Sequence, residues 1–526
     1  MRFTPGAVLA ISLASIASAL PYGTSNSSEP TLKWAPCELD FPKATQDKIA
    51  GPIDCATLDV PLDYTDLSST KTLSLQLIRQ LATQQPFKGT IIFNPGGPGV
   101  SGVQEVAEKG HVYRDEVFDG QYNIVGFDTR GTGRTIPFIC DPTKGTNVTS
   151  NFTSDALSAK NNETTFASAD MWRFLKDKAW DDARYYTSAC ANTDGNADIG
   201  RFLGTTFVAR DMIRIVDALD EDGLLRFWGR SYSTTLGQTF AAMFPDRIGR
   251  MLLDSNMRAS DYWDGSWLTA TLGTEKALEN WLDNCISAGP ELCPGIANLT
   301  GTDTTVKIVM DALTEVFKEL EHEPILLPKD YEGYSTFFWF RPGGLSLLLE
   351  AKYRILQYLY RPDQVEYLHI ALLLILNKDW DSWTAPAPST NTTTPSANEL
   401  PWQYAVNNVH GIGCSDSTFR TSSPEDLYSI IQAQSKQGSF ADTFSPQFWP
   451  CAQWPWKAVE RFEGSFANIN TSYPILFVNS AFDPITPINA AWEVSAGFKG
   501  SRLLTHKGHG VRWYLHPFGD STDDLL

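Results

Sequence analysis

The stretch Phe227-Trp-Gly-Arg-Ser-Tyr-Ser233 joins a short strand-like run, Arg226 to Gly229, to a helical pattern over Leu236 to Phe244. Small residues stand two positions before and two positions after Ser231. A nucleophile on a strand-to-helix turn requires this, because the backbone is tightly bent there and a larger side chain would collide with neighbouring elements. The bend lifts the Ser231 hydroxyl above the sheet. The helix N-terminus beneath it favours the negative charge that develops in acyl transfer. Gly-x-Ser-x-small alone is common in ordinary turns. The strand before it and the helix after it single this one out. The position usually held by a final Gly is Ser233.

Ser231 needs a base and an orienting acid, and on such a turn they follow in the order Ser, Asp or Glu, His. Three histidines lie near the C-terminal end: His506, His509 and His516. His509 stands in Gly508-His-Gly510, just after the strand-like Arg502-Leu-Leu504. Asp483 follows the strand-like Ile475 to Val478, within Asn479-Ser-Ala-Phe-Asp-Pro-Ile-Thr-Pro487. Singly, these read as a turn histidine and a turn carboxylate before proline. Together they fall after successive strands, at the carboxyl edge where an α/β sheet builds its site, and predict a Ser231–His509–Asp483 triad. A third part is Asn94-Pro-Gly-Gly-Pro-Gly99, after the strand-like Gly89 to Phe93. Its glycines let a backbone N–H face a reacting carbonyl with no Cβ in the way. The expected oxyanion donors are the N–H groups of Gly97 and Tyr232. No GK[ST] follows, which disfavours a phosphate-binding loop.

Outward from these motifs, strand and helix patterns alternate. Leu73 to Leu81 alternates apolar and polar residues, and Tyr122 to Phe127 and Met251 to Leu253 are short apolar runs suited to buried parallel strands. Thr206 to Leu219 has helical periodicity. The expectation is an α/β fold with a mostly parallel sheet covered on both faces. From about Asn256 helical patterns dominate, including Leu345 to Leu359 and Val365 to Leu376, and strand grammar resumes near Pro474. The reading is a mainly helical insertion over 256–445 between two parts of the sheet domain, 20–255 and 446–526. Ser382 to Pro401, rich in Pro, Ser, Thr and Asn, reads as an exposed loop.

Residues 1–19 read as a signal peptide: Arg2, an apolar small-residue stretch from Gly6 to Ala19, and Ala17-Ser-Ala19 as the cleavage pattern. Seven N-x-Ser/Thr sequons, at Asn26, Asn147, Asn151, Asn162, Asn298, Asn391 and Asn470, fit passage through a secretory pathway. Eight cysteines, an even number, fit disulfides in an oxidising compartment. Local spacing favours Cys37–Cys55, Cys140–Cys190, Cys285–Cys293 and Cys414–Cys451 among the possible pairings. No Cys/His grouping has zinc-ligand spacing, so neither a metal nor a cofactor is expected. No later run reaches the length of a membrane span. A net charge of −19 argues against nucleic acid or an anionic membrane surface as partner. A secreted, extracellular protein acting on a peptide or a small ester or amide is expected.

Several motifs together resemble one family. Asn94-Pro-Gly-Gly-Pro-Gly99, FDTRGTGRT at 127–135, GRSYSTTLG at 229–237, NSAFDPITP at 479–487 and GHG at 508–510 are similar to those of the secreted tripeptidyl aminopeptidase-like α/β-hydrolases, relatives of proline iminopeptidases. Cys55 to Tyr64 resembles the family's opening strand, the segment ending Leu359-Tyr-Arg-Pro362 its helical cap, and Cys451 to Trp456 the start of its C-terminal part. The resemblance implies an α/β-hydrolase fold with a large helical cap, and release of short peptides from free N-termini by a serine nucleophile. It also implies acidic residues in the cap that hold the substrate amine. Asp261 and Asp264 are candidates for these, with a solvated face as the plainer reading. Arg130 and Arg134 are family-like and read as structural donors to loops. After His509 the family continues into a terminal helix and a further cysteine. Here 526 − 509 = 17 residues follow, and Arg512 to Leu526 does not resemble that helix, so a shortened C-terminal part is expected. Two other functions fit the same motifs: a carboxylesterase on this scaffold, and a catalytically impaired, binding-only relative.

Overall fold

The computed structural model describes residues 31–146, 172, 175–328, 331, 346–361, 364–385, 402 and 405–510. Its centre is a sheet of nine strands among the described residues: β1 (Ala35–Pro36), β2 (Ile53–Pro61), β3 (Thr72–Gln80), β4 (Thr90–Asn94), β5 (Asn123–Phe127), β6 (Leu225–Arg230), β7 (Ile248–Asp254), β8 (Leu476–Phe482) and β9 (Arg502–His509). Their spatial order is β1-β2-β3-β5-β4-β6-β7-β8-β9. The β1–β2, β2–β3 and β3–β5 pairs are antiparallel, and from β5 to β9 every neighbour is parallel.

Strand residues alternate between two cores, as a pleated sheet requires. Ile92, Val125 and Phe227 pack on one face, with Val208, Met212, Leu236 and Phe240 from the helices that cover it. Ile91, Phe93, Ile124 and Trp228 pack on the other, with Val103 and Val106. The covering helices are α1 (Gly102–Val112) on the second face and α2 (Thr205–Ala218) and α3 (Tyr232–Met243) on the first. Every short apolar run read as a parallel strand is one; β4 is buried along its whole length, while Leu252 of β7 is half-buried and Leu476 of β8 is exposed.

Between β7 and β8 the described residues are mainly helical: α4 (Thr274–Ala288), α5 (Val306–His322), α6 (Leu347–Tyr360), α7 (Val365–Leu376) and α8 (Ala405–Asp416) are the longer helices among them. After β8, α9 (Ile488–Gly497) leads to β9. The helices of this segment share a core of Trp281, Leu282, Leu313, Phe317, Leu356, Leu372 and Trp449, which reaches Tyr232 beside the Ser231 turn. Among the described residues no helix is long and apolar enough to cross a membrane.

The cysteines pair as Cys37–Cys55, Cys140–Cys190, Cys285–Cys293 and Cys414–Cys451. Asn298 and Asn470 are exposed, while Asn26, Asn147, Asn151, Asn162 and Asn391 lie outside the described residues, as do the signal stretch and Arg512 to Leu526.

Candidate active site

Ser231 occupies the single position between β6 and α3, with φ 56° and ψ −125°. A side chain other than glycine's at positive φ is strained, by about 1–3 kcal/mol, and persists only where its surroundings hold it. Here its N–H donates to the Asp254 carbonyl at 3.0 Å, and its carbonyl accepts from the N–H and hydroxyl of Thr234 at 2.8 and 2.7 Å. The small neighbours are required sterically. A Cβ at Gly229 would stand 2.6 Å from the Ser233 carbonyl oxygen and 2.5 Å from the Phe227 ring. Ser231 itself remains partly exposed.

The glycine loop after β4 lies against this turn. A Cβ on Gly96 would come 2.4 Å from the Arg230 carbonyl, and 3.1 Å from both Ser231 Cβ and the Tyr232 nitrogen. Gly96, Gly97 and Gly99 have φ of 99°, 107° and 90°, a region open at low cost only to glycine. Gly97 is exposed while the residues on either side of it are buried. The structure thus brings the Gly97 loop, Ser231 and Tyr232 together at the carboxyl edge of the sheet.

Asp483 directly follows β8 and is 1% exposed. Its carboxylate accepts from the N–H groups of Ile485 and Thr486, at 3.0 and 2.7 Å, and from the Thr486 hydroxyl at 2.6 Å. Burial pushes the carboxyl up to about 7, against the opposing pull of these donors. His509 belongs to the strand, not to a loop beyond it: main-chain pairing with β8 carries β9 past Leu504 to His509, whose partner is Phe482. The register therefore sets residue 509 beside the residue preceding Asp483. The side chain of His509 lies outside the described residues.

Asp261 is buried rather than solvated. Its Oδ2 accepts from the Thr269 N–H and hydroxyl at 3.0 and 2.8 Å, and Arg258 lies 3.5 Å from Oδ1. Asp264 is exposed and accepts from the Ser266 N–H at 2.9 Å. Both acids serve turns of their own segment. Arg130 is fully buried, clamps Asp211 through two nitrogens at 2.7 and 2.8 Å, and donates to the carbonyls of Pro61 and Leu62. Arg134 pairs with Asp40 at 2.7 Å and lies over the Trp402 ring.

Four residues around the site were not singled out from sequence. Asp254, the last residue of β7, is fully buried. Burial, partly offset by Arg230 and reinforced by the charge of Asp483, pushes its carboxyl up to about 8. Its place after Met251-Leu-Leu253, at a strand's carboxyl end, was a usable signal. Asp128 is buried after β5. It accepts from Ser101 at 2.6 Å and from the N–H of Val103 at 3.2 Å, fixing the start of α1 next to the glycine loop. Asp416, which ends α8, accepts the N–H of Thr205, at the start of α2, on both carboxylate oxygens at 3.0 Å, the Thr205 hydroxyl at 2.6 Å and the Tyr262 hydroxyl at 2.7 Å. The Thr205 hydroxyl in turn meets that of Tyr232 at 2.6 Å. Asn408, on the same helix, is buried with its Cβ where a Cβ of Gly99 would stand, 2.0 Å away.

Residues 89–292 match the alpha/beta hydrolase fold family model, and residues 436–521 match that of TAP-like proteins. With the sheet order and the serine turn, these make the chain an α/β-hydrolase. It is similar to a tripeptidyl aminopeptidase of Streptomyces lividans, 26% identical over 521 residues that cover 94% of this chain and 84% of that one. It is equally similar to serine protease Hip1 of Mycobacterium tuberculosis, 26% identical over 510 residues covering 92% and 87%. A shorter match, 36% identical over 108 residues and 20% of each chain, is to carboxylesterase B of Mycobacterium tuberculosis. The chain is a serine peptidase on the α/β-hydrolase fold, and it is similar to the tripeptidyl aminopeptidases.

Proposed function

We propose that the protein is an exported exopeptidase that releases short peptides, tripeptides foremost, from free N-termini through an acyl-enzyme on Ser231. His509 takes the Ser231 proton as the oxygen attacks the scissile carbonyl. The resulting oxyanion accepts hydrogen bonds from the N–H groups of Gly97 and Tyr232. His509 then passes the proton to the departing amine, and water releases the peptide by the same steps in reverse roles. Asp483 holds the imidazole tautomer. A carboxylate kept from water gains most when the imidazole beside it becomes cationic, which suits the buried Asp483.

The observation that carries this reading is the strained Ser231 turn set against the Gly96–Gly97 loop. The S. lividans and M. tuberculosis relatives support peptides over other acyl compounds. Disulfides support an oxidising destination. Ser231→Ala is expected to abolish release of a chromogenic amine from a tripeptide amide, and undiminished release by that variant would reject the assignment. The carboxylesterase B match favours a second reading, an esterase with the same triad. Acetylating the substrate amine separates the two: an aminopeptidase loses turnover, while an esterase barely changes.

A further inference from the structure

Asn94 ends β4 and Ser233 lies in the first turn of α3. They are 139 residues apart in sequence, and both are buried. The Ser233 hydroxyl donates to Asn94 Oδ1. The same oxygen accepts the Gly96 N–H at 3.1 Å. One carboxamide oxygen therefore joins the helix that begins with Tyr232 to the loop that carries Gly97. A loop with three glycines at positive φ has many alternative conformations, and holding it in one needs fixed partners.

We propose that Ser233 and Asn94 are positioning residues of the oxyanion hole, fixing the Gly97 and Tyr232 N–H groups relative to each other before substrate arrives. The proposal rests on the reading of Ser231 as nucleophile. Donors aimed at developing charge contribute most when they need no reorganisation during reaction. Glycine at position 233, the usual residue of the motif, has no hydroxyl to offer, so the strap belongs to this sequence.

The test uses the full-length secreted protein and a free-amine tripeptide p-nitroanilide, with kcat expressed per site titrated to completion by a fluorophosphonate. Ser233→Ala is expected to lower kcat about tenfold with KM changed by less than about twofold. Asn94→Ala should cost at least as much, and the double variant no more than Asn94→Ala alone, because the hydroxyl acts through the carboxamide. Asn94→Asp retains an acceptor for both donors and should recover most of the loss. A purely structural role would lower the thermal midpoint and the titratable fraction while leaving kcat per titrated site intact. That result, or independent additive losses, overturns the proposal. Should Ser233→Ala be poorly produced, the comparison of Asn94→Asp with Asn94→Ala decides, equal losses counting against it. Ser231→Ala is run alongside: surviving turnover there sinks the nucleophile assignment itself, a failure distinct from an unaffected Ser233→Ala.

Discussion

Gly229 has no room for a methyl, since both the Ser233 carbonyl and the Phe227 ring stand where it would go. Gly229→Ala is expected to reopen the turn, lowering stability by about 2 kcal/mol in urea unfolding and reducing kcat more than it raises KM. A fully active, equally stable variant would mean the turn tolerates what its geometry forbids. Asp254 predicts a pH effect. Its carboxyl is raised from the ordinary 3.8 to about 8, so the folded chain holds the proton more tightly than the unfolded one. The stability this contributes is complete below the unfolded value and is lost as pH rises through about 8. The thermal midpoint should fall between pH 6 and about 8.5, and Asp254→Asn should fall less over that range. Equal slopes in the two proteins would exclude Asp254 as the source. The turn at Ser231 and the place of Asp483 at the end of β8 were legible because their motifs are local, a few residues between one strand and the next element. Asn94, Ser233 and Asp254 matter through partners that only the folded sheet brings close.

At the scale of elements, α8 is one piece of the helical segment that touches the site; the start of α4 is another, through the bond from the Thr274 hydroxyl to the Pro484 carbonyl. Gly99 meets Asn408 on it, and Asp416 at its end is bound to α2. Gly99→Ala would drive a Cβ into the Asn408 side chain. It should therefore separate loop from helix, with a larger loss in kcat/KM for the tripeptide amide than in fluorophosphonate labelling. Equal losses would place the damage at Ser231 instead. The Arg130–Asp211 pair anchors α2 to the end of β2 by another route. Arg130→Met leaves a buried carboxylate without its cation and should cost about 3–5 kcal/mol by urea unfolding. The alternation of strand and helix was readable from apolar runs of distinct length and period. Where β9 ends was not: Thr505 to His509 is polar, and its strand conformation comes from pairing with β8.

Across the whole molecule, β7 and β8 are sheet neighbours although Leu252 and its partner Leu476 are 476 − 252 = 224 residues apart. The helical segment fills that interval and shares a core with Tyr232. Its switch of grammar, from period two to period 3.6, was visible in the sequence. Its contacts with the glycine loop were not, because they depend on how helices cross. The same spacing has a consequence during synthesis. A nascent chain emerging as far as residue 470 already owns the serine and its turn, yet neither of the groups proposed to activate it. On the proposed reading, any hydrolytic competence therefore waits until residues 483 and 509 have been made, so a chain interrupted before them carries an inert hydroxyl through the compartment in which it is made.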